Sequence, residues 1–140
     1  MLPWVGGDLN GRCTHKVWSR IVVYRRLRDF VDPGPSLSLV FLDERPESID
    51  DDVFHCLLSM NGQPLPFSPG TAAIWDWPAF YHDGAASTAF ADGHCDHRKW
   101  KDPRTTPKTI SARPPPPVSP VSSATNADVV WLWERSTRPK

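Results

Sequence analysis

The sequence predicts an α+β fold built on an antiparallel β-sheet, with a short helix and long loops. Three observations predict it. The Asp-Gly pair at residues 92–93 sits between two strand-like runs, "STAFA" and "HCDHRKW", and Asp-Gly flanked by such runs is the strongest short hairpin signal. Residues 36–44, "SLSLVFLDE", alternate and then become apolar throughout, as a strand with one buried face does. Residues 16–31 place Val17, Ile21, Tyr24, Leu27 and Val31 at helical spacing.

Taken in order, "WVGGDLNGR" reads as a loop from its Gly-Gly and Asn-Gly pairs. The amphipathic run at 16–31 predicts a short helix toward its C-terminal half, although Ile21-Val22-Val23 favours strand. "DPGP" ends it. Residues 36–44 are expected to be a central strand. "RPESIDDDVF" follows as an acidic loop, and "VFHCLLSM", 53–60, is a second strand candidate closed by Asn61-Gly62.

The hairpin is expected to pair residues 86–91 with 94–100 through a two-residue type I′ turn at Asp92-Gly93, since that turn needs positive φ at both central residues. Phe90 then faces Cys95 and Thr88 faces His97. His94, Asp96 and Arg98 share a face with Ala89 and Ala91.

The chain divides into a globular domain at 1–102, a proline-rich loop at 103–125 and a tail at 126–140. The loop, with four consecutive prolines, has too few apolar residues to be held by burial, so removing 107–122 should leave a folded domain. The tail, "DVVWLWERSTRPK", must dock on the core to cover Val130, Trp131, Leu132 and Trp133, and reads as extended, with one tryptophan inward and the other outward.

Sixteen prolines and eight glycines in 140 residues imply short elements and many turns, and seven tryptophans can supply much of a small core. Net charge is zero, with basic residues at 12–28 and acidic ones at 43–52. That balance favours pairing within the fold or between subunits over nucleic-acid binding. No apolar run is long enough to span a membrane, and the N-terminus as written carries no export signal. Cys13, Cys56 and Cys95 lack C-x-x-C spacing, so they define neither a zinc site nor a complete disulfide framework. A free cysteine on a strand reads as a small buried hydrophobe.

Two metal readings arise from the residues. His82, His94 and Asp96 could converge, but their spacing matches no closed zinc pattern. Asp50-Asp51-Asp52 could offer oxygen ligands to calcium, but lacks the EF-hand spacing. No base, orienter or oxyanion hole accompanies a cysteine nucleophile. The residues by themselves favour a structural hairpin, in which His82 bonds across to backbone or to an acid and fixes the hairpin's position.

A histidine, nine residues and Asp-Gly, here His82, residues 83–91 and Asp92-Gly93, resembles the signature of the prepilin-processing-associated H-X9-DG domain of type II secretion pseudopilin-like proteins. "YHDGAASTAFADGHCDHRKW" is similar to that family's Tyr-His-Asn-Gly, Phe-Ala-Asp-Gly-His and His-Lys-Trp pattern. "SLSLVFLDERPESIDD" is similar to its strand and acidic segment, on Asp43, Glu44, Ser48, Asp50 and Asp51. "NADVVWLWERST" is similar to its closing segment. The likeness spans about residues 5–137. Asp50 and Asp83 stand where the family usually has Asn, and the prepilin-type cleavage site and apolar N-terminal helix do not occur in this sequence.

The resemblance implies a pilin-like sheet, a non-enzymatic structural role in the cell envelope or periplasm, no cofactor, and other pseudopilin-like subunits or secretion-system components as partners. An alternative is an extracytoplasmic binding or adhesion module, for which Trp75, Trp77 and Trp131 would form the contact surface. A metal-dependent enzyme on His82, His94 and Asp96 is a third.

Overall fold

The computed structural model describes residues 22, 24–49, 54, 56–57, 69–74, 76–108 and 121–136. Among them are two three-stranded antiparallel sheets and one α-helix. The first sheet joins β1 (Leu39–Leu42), β4 (Ala85–Phe90) and β5 (Cys95–Lys99), with β4 in the middle. The second joins β2 (Cys56–Leu57), β3 (Ala73–Ile74) and β6 (Val121–Ser122), with β3 in the middle. The helix, α1, is Ala127–Glu134. A small α+β arrangement is what these elements make, and no helix among the described residues is long and apolar enough to cross a membrane.

The expected helix at 16–31 is not seen where that segment is described. Residues 27–29 form one 3-10 turn. The Asp29 carboxylate accepts the N–H groups of Arg25 and Arg26, at 3.0 and 2.9 Å. A side chain that takes those donors stops the turn from being extended backward, because Asp competes for backbone groups that a helix would use. Residues 16–21 lie outside the described residues.

β1 is shorter than residues 36–44 and is an edge strand, not a central one. Pro35–Leu37 turns as a 3-10 segment first. Its register against β4 shifts between Leu39 and Phe41, and only Leu39 is deeply buried while Phe41 is 71% exposed. The alternating and then apolar run pointed to a central strand with one buried face, but the strand that has neighbours on both sides is β4, whose six residues include three alanines, a serine and a threonine.

The sequence carries two Asp-Gly pairs, and they turn the chain differently. At Asp83-Gly84 both φ values are positive, +52° and +80°. His82 and Ala85 exchange both backbone hydrogen bonds across the turn, at 3.3 and 3.0 Å. That is the two-residue type I′ geometry, and it lies at the start of β4. At Asp92-Gly93 only the glycine is left-handed, at +95°. The Gly93 N–H donates to Phe90 O at 2.9 Å and the Phe90 N–H to His94 O at 3.0 Å. This is a three-residue loop, a turn on Ala91 and Asp92 followed by a left-handed glycine.

The one extra loop residue slips the register by one from that expected for a two-residue turn. Ala89 pairs with Cys95, Thr88 with Asp96 and Ser87 with His97. A one-residue slip exchanges cross-strand neighbours. Asp96 and Arg98 therefore sit beside Thr88 and Ala86 on the inward face, not beside Ala89 and Ala91. Cys95 lies on the outward face with Ala89 and is exposed, which overturns its reading as a buried hydrophobe. Cys13 lies outside the described residues, as do Asp50, Asp51 and Asp52.

Open space surrounds a Cβ placed on Gly84 or Gly93, so substitution costs backbone strain alone. Gly84→Val and Gly93→Val are each expected to lower unfolding free energy by about 1–3 kcal/mol. Urea unfolding reads the loss directly, and an unchanged midpoint for both variants would contradict the turn assignments.

The tail is helical, not extended. Asn126 caps it: its side-chain oxygen accepts the N–H groups of Asp128 and Val129, at 2.8 and 3.3 Å. Asp128 adds negative charge to the first turn, where the helix dipole favours it. Val129 and Leu132, three apart, turn inward together, 1% and 4% exposed. Leu132 joins Leu39, Phe54, Ala79, Ala86, Phe90 and Trp100. Val129 joins Ala72 and Ile74, with Trp77 alongside. One face of a two-turn helix thus closes the core of each sheet.

Both ends of the proline-rich segment are held, by polar groups. The Asn126 amide nitrogen donates to Thr105 Oγ1 at 3.0 Å and to Ser123 Oγ at 2.8 Å, and all three residues are buried. Arg104 donates to Ala124 O and Arg45 to Pro107 O. Residues 121–122 are β6. The segment removable by the sequence argument therefore shrinks from 107–122 to 109–120, which lies outside the described residues.

Candidate functional site

The histidine, the two Asp-Gly turns and the hairpin they bound are the candidate site. His82 opens β4 through the type I′ turn, and its backbone, not its ring, fixes the hairpin's position. Its imidazole is exposed and lies against that of His97, with ring centroids 5.3 Å apart and planes tilted by 49°. Replacing His82 should therefore change stability by no more than about 0.5 kcal/mol, the usual range for an exposed position. Beside it, Lys99 reaches Asp83 at 2.7 Å.

At the other end of β4, His94 Nδ1 lies 2.6 Å from Asp92 Oδ1, and that carboxylate also accepts the His94 N–H at 3.1 Å. The His94 ring stacks on Phe90, 4.3 Å between centroids and 7° between planes. Asp92 thereby closes the loop from its side chain, while Gly93 supplies the left-handed residue. Asp96 Oδ1 accepts the N–H of His97. His82 and His94 thus stand at opposite ends of one strand, and His82, His94 and Asp96 do not converge. No group of three or more metal-ligating side chains occurs among the described residues.

The described part of the acidic segment, residues 43–49, is knitted into the fold. Asp43 pairs with Ser87: its N–H donates to Ser87 O at 3.2 Å and its Oδ2 accepts the Ser87 N–H at 3.3 Å. Glu44 bridges to Pro78 and accepts the Ser48 hydroxyl at 2.9 Å. Buried Ser48 also accepts the Trp77 N–H at 3.2 Å. Arg45, 4% exposed, puts its guanidinium 4.8 Å from the Phe80 ring centre.

No protein-family model, no curated protein and no solved structure matches this chain. Its functional reading therefore rests on its own residues.

The closing motif and Trp131 were legible in the sequence, but their partners on the hairpin were not. Asp128, fully buried, accepts Arg98 Nη2 at 3.2 Å and the N–H groups of Lys101 and Asp102 at 2.9 and 2.8 Å. Arg98 also stands over the Trp131 ring, 4.5 Å from its centre, as Arg135 does at 4.3 Å. Trp131 meets Trp100 edge to face, 6.1 Å apart, and Trp100 Nε1 donates to Ala79 O at 2.8 Å. Desolvation holds the Arg135 guanidinium below its ordinary pKa, with the Arg98 charge adding to the effect. Trp77 and Trp131 are half-buried and engaged in packing, with Trp77 Nε1 donating to Arg104 O at 3.3 Å. Trp75 lies outside the described residues.

Several carboxylates on this side of the protein are held below their ordinary pKa. Asp102 is lowered by its hydrogen bond from the Arg104 guanidinium and then by the Arg104 N–H. Asp83 is lowered by the Lys99 hydrogen bond and charge, and Asp92 by the His94 N–H and side chain. A carboxylate with a depressed folded pKa adds stability above its unfolded value, near 3.8, and that stability is lost as pH falls through the folded value. Unfolding midpoints measured from about pH 6 downward should stay level to about pH 4 and then fall. Asp102→Asn should reduce the slope of the fall, and an equally steep slope in that variant would refute the assignment to Asp102.

Proposed function

We propose that the chain is the globular part of a type II secretion pseudopilin-like protein, a non-enzymatic structural component of the cell envelope. The observation that carries the reading is the ordered set of three separated motifs. The central one has a simple physical meaning in this fold. The nine residues between His82 and Asp92 comprise the two central residues of the type I′ turn, the six residues of β4 and Ala91, the first residue of the three-residue loop that Asp92-Gly93 completes. A fixed spacing is what two turns bounding a strand of set length require. The acidic motif and the closing motif both touch the same unit, Asp43 through Ser87 and Asp128 through Arg98. A small antiparallel sheet whose motifs serve packing supports a subunit that acts by assembling with other pseudopilin-like subunits.

The test reads the genomic DNA upstream of Met1 and locates the full-length protein in the cell. An in-frame prepilin leader, together with an epitope-tagged protein that fractionates with the envelope and cross-links to other pseudopilin-like proteins, supports the proposal. A tagged protein recovered wholly in the cytosol, with no leader encoded, overturns it.

A further inference from the structure

We propose that His82 and His97 form a two-histidine site for a borderline transition-metal ion of the zinc class on the outward face of the β1–β4–β5 sheet. The proposal is independent of the pseudopilin reading and concerns a different constellation from His82, His94 and Asp96. His97 pairs with Ser87 on β5. His82 pairs with Ala85 through the type I′ turn, and Ala85 pairs with Lys99. Paired residues in an antiparallel sheet share a face, so both histidines stand on the outward face, one row apart, and both are exposed.

Their geometry is that of ligands more than of a stack. Phe90 and His94, which do stack, lie 4.3 Å apart and within 7° of parallel. The His82 and His97 rings are 5.3 Å apart and tilted by 49°. Two imidazoles each bound at about 2 Å to one tetrahedral ion stand with their ring centres about 5 Å apart. The positions of both residues are set by backbone: His82 by a turn with two positive φ values, His97 by a strand ladder. Little ordering is left to accompany binding. Imidazole suits zinc, copper and nickel, and water completes the coordination. Lys99, which pairs with Ala85 on the same face, is engaged by Asp83 at 2.7 Å, which reduces its repulsion of a bound ion.

The test is calorimetric titration of the full chain, cysteines kept reduced, with zinc. One ion is expected to bind at this site. His82→Asn and His97→Gln should each weaken that binding about tenfold or more, a change of about 1.4 kcal/mol per decade, and the double variant, with neither imidazole left, should show no binding at this site. His94→Gln, on the other end of the hairpin, should bind as the parent does. Circular dichroism checks that each variant is folded. A measurement that needs no substitution accompanies it: in imidazole NMR spectra of the parent, zinc should move the His82 and His97 signals at one shared saturation point and leave His94 in place. No binding at millimolar zinc, single variants as tight as the parent, a double variant that still binds as the parent does, or ring signals that move separately would each overturn the proposal.

Discussion

A chain ending at Asn126 is expected to lose its cooperative fold and to expose apolar surface. Truncation there removes Val129 and Leu132, the residues of α1 that close the two clusters. Burying each such side chain contributes about 1.5–3 kcal/mol, so the pair contributes about 3–6 kcal/mol. Total stability for a domain of this size is about 5–15 kcal/mol. The same cut removes Asp128, leaving Arg98 and two backbone donors without their acceptor. It also uncovers one face of Trp100, which packs edge-on against Trp131. Near-ultraviolet circular dichroism should flatten, and binding of a hydrophobic dye should rise. A truncated chain that melts cooperatively within a few degrees of the parent would refute this account of the tail.

Asp128→Ala is expected to cost about 3–5 kcal/mol, the range for breaking a buried ion pair from one side. The carboxylate is fully buried and serves three donors on two segments: Arg98 on β5, and Lys101 and Asp102 just after it. Removing it leaves a guanidinium only 18% exposed without its counter-charge. Asp128→Asn keeps an acceptor oxygen for the backbone donors and removes the charge, so its loss should be smaller, about 1–3 kcal/mol. Chemical denaturation of the two variants measures both. A loss under about 1 kcal/mol for the alanine variant, or asparagine costing more than alanine, would show that Asp128 does not carry this junction.

Local signals were legible where their cause was local. Asp92-Gly93 marked a turn between two strands because only a residue without Cβ takes a positive φ freely. Asp83-Gly84 carried the same signal and went unread, although it is the pair that forms the type I′ turn. Asn126 followed by Asp128 is a helix-start signature, but the alternation of Val130, Trp131, Leu132 and Trp133 pointed to an extended tail. Those four residues fit either period over so short a run. Residues 16–31 illustrate the reverse: helical spacing was present, but Asp29 engages the backbone donors of Arg25 and Arg26.

The sequence by itself determined the positions of the turns, the pairing of the two strands around Asp92-Gly93, and the need for the tail to bury its apolar residues. Each follows from chemistry within a few residues: a glycine's backbone freedom, an alternating run, a cluster of large apolar side chains. Only the tertiary structure decided the register of the hairpin, the edge position of β1, the helical state of the tail and the meeting of His82 with His97. Register depended on whether the loop closed over two residues or three, and the paired Phe90 and His94 close it over three. The helix depended on Leu132 finding Leu39 and Phe90, on Val129 finding Ile74, and on Asp128 finding Arg98. Those partners lie far away in the chain, and no local pattern encodes which of them will be neighbours.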